Sequence, residues 1–393
     1  MPRRRAAHRP MNAAELQDVA IVGAGPAGAA LARRLALDGR KVVLIEASRF
    51  DRARIGESLS PDIQPELLGL GLRDRFLALK PLPSWGTRSI WGEPAAQARS
   101  HLTSPWCSGW HVDRTAFDLM LAEAARETGV QWIEACRVRA VRHDGTAWCV
   151  HAGGNVWRSR WIVDATGRSA RIARGIGARR MLFDSLVGIA AVCADPGHAE
   201  RHHLLVEAVE DGWWYSAPLP GGPAPSTIAM LMTDGDLCAR AALHRADGWR
   251  AAMARSVATR CRVDAAACGA PRVHLAHSHR LLRPTVPAPG PWLAVGDASL
   301  AVDPLSGSGV LRALRHAREA ATVIGEAIER PAHVDELIAS FDAVRDSECT
   351  DYLIERAQHY AVEQRFESPF WRRRSRAPAG PAAAIDKPHA AAL

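Results

Sequence analysis

Three glycines set the first chemical constraint. Residues 18–46 read D-V-A-I-V-G-A-G-P-A-G-A-A-L-A-R-R-L-A-L-D-G-R-K-V-V-L-I-E, with Gly23, Gly25 and Gly28 at G-x-G-x-x-G spacing. Gly23 permits a tight turn, Gly25 lets backbone approach a pyrophosphate, and Gly28 lets helix and strand pack closely. The helix that follows, Pro26 to Leu37, offers free N–H groups and a positive dipole end to phosphates. Glu46 ends the next strand, 18 residues after Gly28, where a carboxylate can accept hydrogen bonds from a ribose. Strand, glycine turn, helix and acid together make a dinucleotide site.

Two more strand ends carry chemistry. W-I-V-D-A-T-G-R-S (161–169) runs a buried strand into Asp164 and Gly167. W-L-A-V-G-D-A-S-L-A-V-D-P-L-S-G-S-G-V (292–310) runs another into Gly296 and Asp297, and Pro304, Gly307 and Gly309 precede a helical stretch from about 310 to 327. Strand ends so far apart in sequence converge only in a fold that returns to one sheet. The layout resembles the FAD-dependent monooxygenases of the para-hydroxybenzoate hydroxylase fold, in the branch that holds tryptophan halogenases and geranylgeranyl reductases. The resemblance covers about residues 16–370. It implies FAD as cofactor, Asp297 on the ribityl chain, and the helix after D-P-x-x-G-x-G aimed at the flavin N1–C2=O edge, where reduced flavin carries negative charge. G-E-S-L-S-P (56–61) resembles a segment beside the flavin. H-V-D-R-T-A-F-D (111–118) resembles one that sets an arginine, here Arg114, near the phosphates, with Asp113 as helix N-cap.

Between these anchors lies D-G-W-W-Y-S-A-P-L-P (211–220). Trp213 reads as packed core. Trp214 and Tyr215 alternate across a strand, so one of them faces the other way, and Tyr215 has the stronger claim on a pocket because a phenol can hydrogen-bond a polar substrate. Halogenases of the branch carry W-x-W-x-I-P here. They also use a lysine near the substrate, where this chain offers Thr87, Arg88 and Ser89, with Lys80 ahead of the strand. W-W-Y-S-A-P-L-P, S-x-W-G and F-E-S-P-F-W-R-R-R (366–374) are similar to flavoprotein monooxygenases that mature tryptophylquinone cofactors. That resemblance implies hydroxylation of an electron-rich aromatic, a free small molecule or a tryptophan within a polypeptide, through a flavin C4a-hydroperoxide. Molecular oxygen is then the co-substrate and NAD(P)H or a separate flavin reductase the electron donor. The candidate catalytic residues are Tyr215, Trp214, Glu57 and Arg88, with Trp85 and Trp91 beside them. Glu57 is either a general acid/base or a flavin-edge acceptor. A halogenase and a geranylgeranyl reductase-like enzyme stand as alternatives, the first needing a lysine at the distal end of the cavity and the second a long apolar tunnel.

These residues require an α/β fold: a Rossmann-like FAD-binding domain of the glutathione reductase type with an inserted antiparallel β-sheet substrate domain and a C-terminal helical segment. The expected FAD-binding parts are 16–80, 98–178 and 275–330, with 130–163 as a β-meander turning at 143–146 and 153–155. The substrate sheet takes 81–97 and 179–274, from β-like runs at 84–92, 181–194, 202–210, 213–219 and 226–233. Residues 331–371 are helical, and 1–15 and 375–393 are disordered tails, Met11 being an alternative start. The chain's 393 residues carry a net charge of +8, almost all of it from scattered arginines, since Lys appears only at 41, 80 and 387. That scatter argues against a nucleic-acid partner. The basic ending 372–376 is a candidate dock for an acidic partner. No apolar run spans a bilayer and no secretory signal precedes the fold, so a cytoplasmic protein is expected. The eight cysteines form no C-x-x-C pair and read as reduced buried thiols, with no metal site. His111 reads as a surface residue, and His198, His202 and His203 as a solvated loop.

Overall fold

The computed structural model describes residues 15–194, 202–222 and 224–375. The tails expected at 1–15 and 375–393, apart from Glu15 and Ser375, lie outside these residues, as does His198.

The first sheet is built around one long strand, Asn155–Asp164. Its first half pairs antiparallel with Trp148–Ala152, which pairs with Val138–His143, and this is the expected meander. Its second half is parallel to Gln17–Val22 on one side and Trp292–Ala294 on the other. Val42–Ile45 and Gln131–Ile133 extend the parallel part. All four residues of Val42–Ile45 are buried, as befits a strand covered on both faces. The register sets Val22 against Asp164 and Asp164 against Ala294, so the three strand ends read from the sequence open at one edge. Helices Pro26–Leu37, Arg114–Arg126 and Gly309–Glu329 share one core on this sheet. Proline at the start of the first and Gly39 (φ 77°) after its end are the expected punctuation.

The second sheet has seven strands in the order Arg272–Leu275, Leu186–Ala194, Ser226–Asp234, Gly212–Leu219, His203–Val209, Gly86–Ile90, Gln97–Ser100. All neighbours are antiparallel except the parallel pair of His203–Val209 with Gly86–Ile90. Both faces are covered. One carries Trp213, Tyr215, Met230 and Met232; the other carries Trp214, Leu231, Ile189 and Trp249. Helices Val334–Val362 and Pro369–Ser375 bring Tyr360, Phe370 and Trp371 under the first face.

Three expectations are corrected. Cys193 and Cys268 form a disulfide across an isolated antiparallel bridge, 75 residues apart in sequence, and Cys107 and Cys261 are exposed rather than buried. His111 is fully buried on a short strand, its Nδ1 3.1 Å from Ser58 Oγ, while His202 stacks on Trp85 with ring centroids 4.0 Å apart and His203 opens a strand. Part of the basic ending is engaged within the chain: Arg374 is buried against Asp234 and Arg373 pairs with Asp234 and Asp236, while Arg372 is exposed. No described helix is long and apolar enough to cross a membrane.

Candidate active site

A cavity of about 400 Å³ runs between the two sheets. At its phosphate end, a Cβ added at Gly23 would lie 2.3 Å from the Ala165 carbonyl oxygen, and one at Gly28 1.9 Å from that of Gly23. Around Gly25, Gly307 and Gly309 a Cβ would meet nothing within 4 Å, so these backbones lie open. Gly25 caps the Pro26–Leu37 helix without a side-chain bond, which leaves first-turn N–H groups for a ligand. Glu46 does not line the cavity. Its carboxylate accepts the Ala24 N–H at 2.7 Å and the Ser48 N–H at 2.8 Å, and so pins the glycine turn.

Arg114 and Gly167 are on the cavity wall, whereas Asp164 is not. Asp164 is buried and accepts bonds from Thr166 N–H and Oγ1 and from Ala173 N–H at 2.6–2.8 Å, so it ties the loop that presents Gly167. Burial raises its carboxyl above the usual range, against those donors. The Arg114 guanidinium donates to the carbonyls of Ile55 and Gly56 and pairs with Asp118, and Asp113 caps its helix as expected.

Gly296 (φ 59°) packs against Ala27, where a Cβ would sit 2.9 Å away. Asp297 lines the cavity between Arg168 at 3.4 Å and Arg312 at 3.8 Å. The Nε and Nη2 atoms of Arg312 are buried without a hydrogen-bond partner. His316 accepts the Gly296 N–H at Nδ1 and donates from Nε2 to Glu348, and burial lowers its pKa to about 4. Pro304, Gly307 and Gly309 complete this end of the cavity, and the N-terminus of the 21-residue helix faces it with no side-chain cap.

The far wall is aromatic and thioether: Trp213, Tyr215, Met230 and Met232, with Leu204 and Val206. The Tyr215 hydroxyl donates to Glu57 Oε2 at 3.4 Å, and the Gly56 N–H donates to the same oxygen at 3.0 Å. Both side chains are buried, and burial pushes both acids toward their neutral forms. Glu57 lines a second cavity of about 530 Å³ on its other side, so this pair forms part of the partition between the two. Trp214 and Arg88 are not brought to this wall. Trp214 points through the sheet to Trp249, ring centroids 5.3 Å apart. Arg88 lies opposite Leu205, one residue out of phase with Val206 and Tyr215, which puts it on the other face. Trp85 is 48% exposed, and Trp91 stands behind Trp213 among Tyr360 and Trp371.

Sequence reasoning missed a buried chain behind the wall. Trp213 Nε1–H donates to Tyr360 Oη at 3.0 Å, and Tyr360 donates to Asp303 Oδ2 at 2.7 Å. Asp303 is the first residue of D-P-L-S-G-S-G and could have been singled out there; Tyr360, on a distant helix, gave no local signal. Arg168 and Arg312 were also missed, although Arg168 directly follows Gly167.

The glycine turn with its pinning acid, the Gly296–Asp297 loop and the uncapped helix at one cavity make a site built for a flavin dinucleotide. The model of the FAD-binding domain family matches residues 17–351. The chain belongs to this family. The flavoprotein is 30% identical to LodB of Marinomonas mediterranea, named as an FAD-dependent oxidoreductase, over 75% of this chain and 81% of that one. Among solved structures it is similar to the myxobacterial chondrochloren halogenase CndH (TM-score 0.80, 25% identity, 93% of this chain and 87% of that one). It is also similar to the peptidyl tryptophan dihydroxylase QhpG, essential for tryptophylquinone cofactor biogenesis (TM-score 0.73, 25% identity, 93% and 80%). It is an FAD-dependent oxidoreductase of the halogenase and monooxygenase group.

Proposed function

We propose that the flavoprotein is a monooxygenase that hydroxylates an electron-rich aromatic ring, a tryptophan side chain within a polypeptide above all. The observation that carries this reading is the composition of the wall. Trp213, Tyr215, Met230 and Met232 form a dry, π-rich surface, and among the described residues no lysine lines either cavity. The kinship with QhpG supports the same substrate class. Gly25 and the helix N-termini, with Arg114, would hold the phosphates, Asp297 would hold the ribityl chain, and the Gly307–Gly309 backbone would offer its N–H groups to the ring. When bound and reduced by NAD(P)H or by a reductase protein, FAD supplies the electrons that let dioxygen place one oxygen atom on the substrate and release the other as water. The apolar wall excludes water. Burial keeps the Glu57 carboxyl toward its protonated state, able to hold or pass a proton beside the Tyr215 hydroxyl.

The open Gly307-Ser308-Gly309 backbone and the likeness to CndH favour halogenation as the second reading. The test reduces the FAD-loaded enzyme without oxygen and mixes it with isotopically labelled dioxygen, chloride and bromide. The aromatic panel runs from indole and phenols to tryptophan-containing peptides, with products followed by mass spectrometry. Labelled oxygen in an aromatic product supports the proposal. A halogenated product, or hydrogen peroxide alone across the panel, overturns it.

A further inference from the structure

The second sheet ends at the strand Arg272–Leu275, and this edge runs between the two cavities. His274 lines both, Leu275 and Ala276 line the first, and Arg272 lines the second. Among the described residues nothing pairs with its outer side. The Ala276 N–H donates to the Leu186 carbonyl, which places Ala276, His274 and Arg272 at the hydrogen-bonded positions facing Leu186–Ala194. Val273 and Leu275 therefore turn their N–H and C=O groups outward. Their side chains are 47% and 66% exposed, and among the described residues no proline, lysine or covering element blunts this edge. The disulfide from Cys268 and the Gly269 N–H to Val192 carbonyl bond tie the lead-in of this strand to its neighbour, so the edge is held in place.

We infer that this edge captures the substrate as an added β-strand: an extended polypeptide segment bonded to the backbone of Val273 and Leu275. The inference rests on the peptidyl reading above and deepens it. The alternation of side chains fixes the details. His274, Gly188, Met232 and Trp213 lie opposite one another across the sheet and share the face that looks on the first cavity. A tryptophan placed opposite His274 on the added strand lies on the face that lines that cavity, where the Met230 and Met232 sulfurs cover Gly188. The residue two positions along the added strand lies opposite Arg272. Arg272 is exposed, and no carboxylate pairs with it among the described residues. The occupant is therefore an extended segment with an acidic residue two positions from the reactive tryptophan.

The probe is a fluorescein-labelled nonapeptide library with tryptophan fixed at the centre, read by fluorescence polarisation on the FAD-loaded enzyme. Peptides with Asp or Glu two positions from the tryptophan are expected to bind best. Val273→Pro removes an outward N–H and no native bond. It should weaken peptide binding about tenfold or more while FAD content and reoxidation with free indole stay within about twofold. N-methylating alternate amides of the best peptide should reproduce the loss on one register and not on the other, a test independent of any variant's folding. Equal peptide binding by wild type and Val273→Pro, with no effect of N-methylation, overturns edge pairing and leaves peptidyl hydroxylation standing. No binding by any peptide while free indole is hydroxylated overturns both edge pairing and the peptidyl substrate. A wild-type dimer that Val273→Pro dissociates, with no peptide bound, assigns the edge to a second copy and also overturns the inference.

Discussion

Tyr360→Phe isolates one hydroxyl at the centre of the structure. The ring is kept, and with it the contacts to Trp91, Phe370 and Trp371 at centroid distances of 5.7, 6.2 and 5.9 Å. Two hydrogen bonds are lost. Trp213 Nε1–H, fully buried, has no other acceptor, and a buried donor left unpaired costs about 1–3 kcal/mol. Asp303 loses a donor at 2.7 Å, and a bond to a carboxylate is worth about 1.5–3 kcal/mol. The expected loss is about 3–5 kcal/mol, a large share of the stability of an ordinary domain. Because Asp303 begins the loop that carries Gly307 and Gly309, FAD affinity should fall as well. The assay is urea unfolding at saturating FAD, with FAD affinity from quenching of flavin fluorescence. Trp213→Phe and the double variant close a mutant cycle whose coupling should reach about 1 kcal/mol. A loss under about 1 kcal/mol, with FAD affinity unchanged and no coupling, would refute the reasoning.

Gly28→Ala puts a Cβ 1.9 Å from the Gly23 carbonyl and 2.9 Å from the Ala165 Cβ, so the purified protein should lack the flavin absorbance of the wild type; full FAD content would contradict the role given to this turn. Burial lowers His111 to a pKa of about 3, His277 and His316 to about 4 and His279 to about 2. Histidines depressed below 6.5 contribute stability above that pH and lose it as pH falls, by about 2 kcal/mol each at pH 5. The urea midpoint should drop between pH 7 and 5, and a flat profile would count against neutral burial. Glu57 carries the opposite sign. Its folded pKa is raised above 4.5, so the stability it contributes is complete below pH 4.5 and is lost as pH rises through the higher value. Glu57→Gln should therefore gain on the wild type from pH 5 to pH 8 in thermal unfolding, and parallel pH profiles would show that the carboxyl is not perturbed.

What the sequence disclosed follows from how local its signals are. The Gly23–Glu46 unit is written in one continuous stretch, and the observed helix Pro26–Leu37 has the expected bounds. The loops at Asp164–Gly167 and Gly296–Gly309 are legible because each glycine and acid sits beside its strand. The substrate wall is less so. Alternation correctly parts Trp214 from Tyr215, yet it cannot say which face looks on the cavity when both faces are covered by apolar residues. Trp213, read as packing alone, shares the cavity face with Tyr215, and Arg88 falls on the other by the same parity. The Cys193–Cys268 bond, the burial of His111 and the reach of Tyr360 to Trp213 depend on strand registers and helix docking with no counterpart in spacing.

The two ends of the cavity draw on different lengths of chain. The phosphate turn takes its parts from the first two strands and from Asp164–Ala165, and the Gly307–Gly309 helix follows. The wall acquires its backing only when Tyr360, Phe370, Trp371 and Arg374 dock beneath Trp213. A nascent chain halted near Arg330 would hold the parts that recognise nucleotide while showing solvent a bare aromatic sheet, the kind of surface chaperones hold and aggregates recruit. Chain order thus places the parts for cofactor recognition ahead of those that seal the compartment. A flavoprotein clipped between these stages would have no dry chamber in which to keep its reduced flavin from futile oxygen chemistry.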